Sequence, residues 1–136
     1  FFIKKKVINF KQKNKAENEI LSELKKYKIE IICLAGFMKI LSKNFINSFK
    51  GKILNIHPSL LPKYKGLNTH QRALDANEKY SGCTVHFVNS KLDSGKIIIQ
   101  KKIKISKNDT KVSLARKILT QEHKIYPKAI LKVFSL

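Results

Sequence analysis

Asn55 and His57 stand two residues apart at the end of the apolar stretch Lys52–Ile56. On an extended backbone that spacing turns both side chains to one face. An amide donor beside an imidazole suits a carbonyl group that must become an oxyanion while a proton moves. Asp93 adds a carboxylate within Lys91-Leu92-Asp93-Ser94-Gly95. Taken singly, each fits an ordinary structural role at least as well: an Asn that caps, a hydrogen-bonded His, an Asp in a turn that uses local bonds. His86 alternates with Val85 and Phe87 and so points away from them, as either a site wall or a satisfied core histidine. His70 and His123 leave both readings open. Histidines and acids show no metal-ligand spacing, and the chain has neither Gly-x-Gly-x-x-Gly nor a Walker-type loop.

The elements around these residues follow from periodicity. Ala16, Ile20, Leu24 and Tyr27 recur at helical spacing, with Asn14 and Glu17 in a capping-box pattern ahead of them. Ile29 to Ala35 is nearly continuous and β-branched, as in a strand covered on both faces, and ends at Gly36. Ser42 caps a short helix through Phe49. Gly51 precedes the second buried strand, which His57-Pro58 breaks, and Pro62, Tyr64 and Gly66 extend an irregular loop. Thr69–Asn77 reads as a helix, and Gly82–Asn89 with Ile97–Ile105 as a hairpin. Asp109 caps the final helix, which Pro127 kinks or ends before a tail reaching Phe134. This order predicts an α/β fold. Its open, mostly parallel twisted sheet carries an antiparallel edge hairpin and helices on both faces. Ligands of such sheets bind beyond the strands' carboxyl ends, here the Gly36 and His57 rim.

Residues 1–136 read as a single domain, since 43% apolar content supports one core and no linker divides the chain. No apolar run is long enough to span a bilayer. The formal charge of +20 raises the question of nucleic acid, but only Arg72 and Arg116 among the 29 basic residues are arginines. Arginine makes the bidentate phosphate and guanine contacts, so the lysines read as a solvated surface and no nucleic acid is expected. Cys33 and Cys83 lie far apart in apolar sequence and read as reduced core residues of a cytoplasmic protein. The chain opens on Phe1, within a stretch that reads as part of a strand. It is therefore expected to be a fragment.

Six motifs in order carry a resemblance. They are Leu34-Ala-Gly-Phe-Met-Lys-Ile-Leu41, Leu54-Asn-Ile-His-Pro-Ser-Leu-Leu-Pro-Lys-Tyr-Lys-Gly66, Thr69-His-Gln-Arg-Ala-Leu74, Val85-His-Phe-Val88, Leu92-Asp-Ser-Gly95 and Gln121-Glu-His-Lys-Ile-Tyr-Pro127. Together they resemble the phosphoribosylglycinamide formyltransferase family of purine biosynthesis. The resemblance implies transfer of a formyl group from the co-substrate 10-formyltetrahydrofolate to the amine of glycinamide ribonucleotide, without a metal. It makes Asn55, His57 and Asp93 catalytic; on chemical grounds Asp93 is expected to anchor the imidazole or a relay water and to favour the charged form of the ring. It assigns the folate pocket to Met38, Lys39, Ile40, Leu41, Asn55, Val88, Asn89, Ser90, Lys91, Leu92 and Asp93. Pro58, Gly66, His86 and Glu122 fall near the ribonucleotide, where Glu122 can accept from ribose hydroxyls. The implied assembly is a monomer or weak homodimer with small-molecule partners only.

Two departures stand out. The family more often has Arg where this chain has Lys39, and its N-terminal strand and glycine-rich phosphate loop have no counterpart here. Methionyl-tRNA formyltransferase and formyltetrahydrofolate deformylase share the Asn, His and Asp features. The segment Lys63-Tyr-Lys-Gly-Leu-Asn-Thr-His-Gln-Arg72 favours the ribonucleotide enzyme over both. A basic nucleic-acid-binding module without activity is the alternative from another class.

Overall fold

Buried β-branched runs and amphipathic stripes settle into four strands and four helices in the computed structural model, which describes residues 3–135. In chain order these are α1 (Lys13–Lys26), β1 (Ile31–Leu34), α2 (Lys43–Ser48), β2 (Lys52–His57), α3 (Thr69–Asp75), β3 (Tyr80–Phe87), β4 (Ile97–Lys104) and α4 (Lys111–Phe134). The strands form one open sheet in the order β1-β2-β3-β4. β1 and β2 pair in parallel, and β2–β3 and β3–β4 are antiparallel. Three strands therefore point one way and β3 alone runs against them. The expected α/β sheet is present, with the antiparallel β3–β4 hairpin at one edge. The hairpin's first strand lies inside the sheet, hydrogen-bonded on both sides.

Alternation along the strands feeds two cores, one on each face. Ile53 joins Leu41, Phe45 and Phe49 beneath α1 and α2, with Ile20, Leu24, Ile32 and Leu34 against them. Ile56, Cys83 and Val85 face the other way and meet Leu114, Ile118, Ile125 and Ala129 of α4. Tyr126 ties that helix to the parallel pair. Its hydroxyl lies 2.7 Å from the Leu34 carbonyl and 3.2 Å from the Leu54 carbonyl, sharing one proton between them.

Several local expectations change. Gln12, not Asn14, is the N-cap of α1, and it makes no side-chain capping bond. Glu17 turns inward instead. Its carboxylate is buried and accepts from the Ser42 backbone N–H at 2.8 Å and from the Ser42 hydroxyl, while Ser42 caps α2 by accepting from Phe45 N–H. A tertiary partner has overridden the local capping box. Tyr27 lies outside the stripe, exposed under Lys4 and Lys26. Thr110 rather than Asp109 caps α4, through a reciprocal bond with Ser113. Asp109 braces that cap from outside, accepting from Ser106 N–H, Ser113 and Lys117, and the Lys117 ammonium helps hold its carboxyl down at about 2.

Pro127 neither ends nor divides α4, which runs unbroken through it. The ring removes one backbone donor. Ile118 and Ile125 before it and Ala129 after it are buried in the same core, so packing holds both halves on one axis. Cys33 is exposed rather than in the core, whereas burial of Cys83 pushes its thiol up to about 12. Residues 3–9 form no strand and Val7 is 96% exposed. Phe1 and Phe2, the start of the expected strand, lie outside the described residues.

The Glu17–Ser42 contact generates a test. Glu17→Ala leaves a part-buried N–H and hydroxyl without their acceptor, and should cost about 1–3 kcal/mol in stability. Chemical denaturation reads it, with Glu19→Ala, an exposed residue of the same helix, as the control that barely moves the midpoint.

Candidate active site

The parallel pair β1 and β2 ends at a common rim. From this rim a cavity of about 1000 Å³ opens, lined by Gly36, Phe37, Met38, Asn55, His57, Pro58, Gly66, His70, Asp93, Glu122, His123 and Tyr126 among others. Asn55 and His57, on alternate positions of β2, share the face opposite to Leu54 and Ile56. The β2–β3 ladder then sets His86 directly opposite Asn55. Tertiary folding brings Asp93 to the same point from the loop between β3 and β4.

His57 is 6% exposed and both ring nitrogens face oxygen. Its Nε2 lies 2.8 Å from the Tyr64 carbonyl, which can only accept, so Nε2 carries a proton. Nδ1 lies 3.4 Å from Asp93 Oδ2, within ion-pair reach though longer than a charge-assisted hydrogen bond. A ring with two protons satisfies both neighbours. Asp93 Oδ2 also accepts from the Gly66 N–H at 2.9 Å. Asp93 itself adopts φ 44°, a left-handed turn conformation that Asp tolerates. One residue thus takes the turn conformation and faces His57 at once.

His86 is 2% exposed and works behind Asn55. Its Nδ1 donates to the Phe87 carbonyl at 2.8 Å, which leaves Nε2 as an acceptor. The Asn55 Nδ2 group lies 3.3 Å from that Nε2 and donates to it. This fixes which end of the amide is nitrogen and leaves its second N–H free. Burial lowers the His86 pKa, more than the Phe87 carbonyl and Asp93 raise it, and so keeps the ring a neutral acceptor. His86 lies outside the lining of the large cavity; it lines a second, smaller one of about 50 Å³.

That smaller cavity gathers Lys39, Ile40, Leu41, Asn55, Val88, Asn89, Lys91, Leu92 and Asp93, most of the set assigned to a folate pocket. Met38 lines the large cavity instead, 76% exposed, and Ser90 lines neither. Phe37, Lys39, Ile40, Asn55, Leu92 and Asp93 line both cavities and so make up the wall they share. Pro58, Gly66 and Glu122 all line the large one. Burial raises the Glu122 carboxyl, against a smaller opposite pull from His123.

The sequence reading missed the role of the Tyr64 carbonyl as partner of His57. It also missed Thr84, fully buried, which donates to Ser59 O and accepts from Leu61 N–H and Gln100, pinning the loop after β2. A Thr between Cys83 and Val85 carries no signal of this in sequence. Among the described residues no His, Cys, Asp or Glu cluster could hold a metal ion, and no helix is long and apolar enough to cross a membrane.

A family model described as Formyl transferase matches residues 1–130. The chain is 54% identical over 114 residues to the trifunctional purine biosynthetic protein adenosine-3 of Chironomus tentans, covering 84% of this chain and 8% of that protein. It is 42% identical over 121 residues to phosphoribosylglycinamide formyltransferase of Escherichia coli, covering 89% of this chain and 57% of that one. The crystal structure of phosphoribosylglycinamide formyltransferase from Brucella melitensis superposes with TM-score 0.83 at 50% identity, over 92% of this chain and 64% of that one. The chain thus spans little more than half of the E. coli enzyme and a small part of the trifunctional protein.

Glu122 supplies the pH test. Its folded pKa lies above the ordinary carboxylate value, so the folded state holds its proton where the unfolded chain has released it. Its contribution to stability therefore falls as pH rises through that window. Glu122→Gln should be more stable than the parent at pH 7 and similar to it near pH 4. Thermal melts across that range check that the difference closes as pH falls.

Proposed function

The chain belongs to the formyl transferase family, and from that premise we propose that its protein moves the formyl group of 10-formyltetrahydrofolate onto the amine of glycinamide ribonucleotide. One observation carries the reading: Asn55 and Asp93 belong to the wall that two cavities share, so a donor on one side can meet an acceptor on the other beside them. The relatives' names supply the chemistry that such a wall would serve.

On this reading the amine enters from the large cavity and attacks the formyl carbon. Negative charge grows on the formyl oxygen as the carbon becomes tetrahedral. The second Asn55 N–H, the one not given to His86, donates to that oxygen. His57 in its doubly protonated form adds positive charge beside it. For His57 to donate directly, Nε2 must exchange the Tyr64 carbonyl for the oxyanion or a relay water. Asp93 keeps the imidazole facing the wall and accepts the proton that the attacking amine must lose, directly or through water. Collapse then returns a proton to the departing folate nitrogen.

Glu122, raised by burial, faces the large cavity where it can accept from ribose hydroxyls, beside Pro58 and Gly66. A pterin needs far more than the smaller cavity's 50 Å³, since ligand pockets occupy roughly 300–1,000 Å³. On this reading the donor therefore extends past the smaller cavity, along the Phe37, Lys39, Ile40 and Leu92 side that it shares with the large one. The same reading carries a cytoplasmic location, with the free thiols Cys33 and Cys83 suited to a reducing compartment. It also carries a monomer or weak homodimer that needs no metal.

A formyl-transfer assay on the full-length protein tests this, with glycinamide ribonucleotide, methionyl-tRNA and water as competing acceptors. Product from the ribonucleotide alone is expected. Formyl-methionyl-tRNA or free formate as the main product would reassign the enzyme. Asn55→Ala and His57→Ala should each lower kcat by roughly 100- to 1,000-fold. The double variant should fall well short of the product of the two losses, because the groups act on one charge.

A further inference from the structure

The two residues on which the proposed chemistry turns, His57 and Asp93, are each held by main chain from one short segment. The Tyr64 carbonyl faces His57 Nε2 at 2.8 Å, and the Gly66 N–H donates to Asp93 Oδ2 at 2.9 Å. These groups reach inward only because the backbone there alternates. Tyr64, Gly66 and Asn68 all have left-handed φ values, of 55°, 79° and 56°. Glycine adopts this without strain and Asn at little cost, but Tyr does so only when its surroundings hold it.

Arg72, on the first turns of α3, is what holds it. Its guanidinium lies over the Tyr64 ring with 5.2 Å to the centroid, and a single nitrogen, NH1, donates to the Lys65 carbonyl at 2.7 Å and the Leu67 carbonyl at 3.1 Å. Lys65 and Leu67 are the intervening residues, and their carbonyls turn to Arg72 while the Tyr64 carbonyl and Gly66 N–H turn to the site. Glu78 secures the start of the segment, accepting from the Tyr64 hydroxyl at 2.9 Å and from Lys63 at 2.6 Å. Arg72 lines neither cavity of the site. It is one of only two arginines in a chain whose other basic residues are lysine. A lysine could give hydrogen bonds to carbonyls but could not also stack a plane on the tyrosine.

We infer that Arg72 is a positioning residue for His57 and Asp93, acting through the 64–68 segment whose main chain grips both. The inference rests on the reading under Proposed function for its kinetic consequence, and on geometry alone for its structural one. It assigns Arg72 no contact with either substrate.

The test uses full-length protein with 15N-labelled histidine, comparing the parent with Arg72→Ala and Arg72→Lys. Arg72→Ala should lose roughly 10- to 100-fold in kcat, as expected for misplaced catalytic groups, with KM for both substrates within about twofold. The His57 Nε2–H resonance should shift and broaden as its Tyr64 partner is lost, and free guanidinium ion should restore part of both. Arg72→Lys should fall between the two, and it decides the matter if Arg72→Ala does not fold. An unchanged His57 resonance overturns the inference. So does a kinetic loss carried by KM with kcat intact. If the parent makes no formylated ribonucleotide, the functional reading fails, while the imidazole resonance still decides the role of Arg72.

Discussion

The hydrogen bond between Asn55 and His86 across the β2–β3 ladder is the constraint on which the site depends. It exists because the two strands are antiparallel and in a register that sets these residues opposite each other. His86 is locked in one tautomer by the Phe87 carbonyl, and so it can only accept from Asn55. The amide is thereby oriented before any ligand arrives. A donor fixed in advance requires no reorganisation when charge develops, which is the main source of its value in a transition state.

The sheet that provides this register is held from both faces. The α1–α2 core lies beneath Ile53 and the α4 core beneath Ile56 and Val85, so β2 contributes to each with alternate residues. Its polar residues Asn55 and His57 follow Ile53 on the same face, where the strand nears the rim and the core gives way to the cavities. Tyr126 clamps the carboxyl end of β1 to the middle of β2 and lines the large cavity. Burial drives its hydroxyl well above the usual phenol pKa, so it remains a donor at any working pH. Scaffold and site thus share residues rather than meeting at a boundary.

Groups that would be liabilities in a plain core collect around the cavity. Glu122 is raised by burial, and His70 is lowered by burial with its Nδ1 unpartnered. Both line the large cavity. Unsatisfied polar groups at a site are what a ligand can satisfy, and their desolvation weakens the free protein. Elsewhere the polar groups are well matched, as at Glu17 with Ser42 or Asp109 with Lys117.

The sequence by itself determined the element types, the α/β class and the carboxyl-end rim, because hydrophobic period and Gly/Pro punctuation are local signals. It also showed that Asn55 and His57 share a face, which two-residue spacing on a strand dictates. It could not show that Glu17 leaves its own helix cap for Ser42, that Thr110 displaces Asp109 as a cap, or that α4 passes through Pro127. At Glu17 and Pro127 a tertiary partner outweighed a local preference worth about 1 kcal/mol or, for proline, about 3 kcal/mol, whereas at α4 one local cap, Thr110 with Ser113, prevailed over its neighbour. Nor could it place Asp93 against His57, 36 residues upstream. Three features needed the fold. They are the strand register that sets His86 behind Asn55, the loop that turns the Tyr64 carbonyl and Gly66 N–H inward, and the wall shared by two cavities to which Asn55 and Asp93 belong. Each depends on strand pairing or on an irregular loop path, and periodicity carries no information about either.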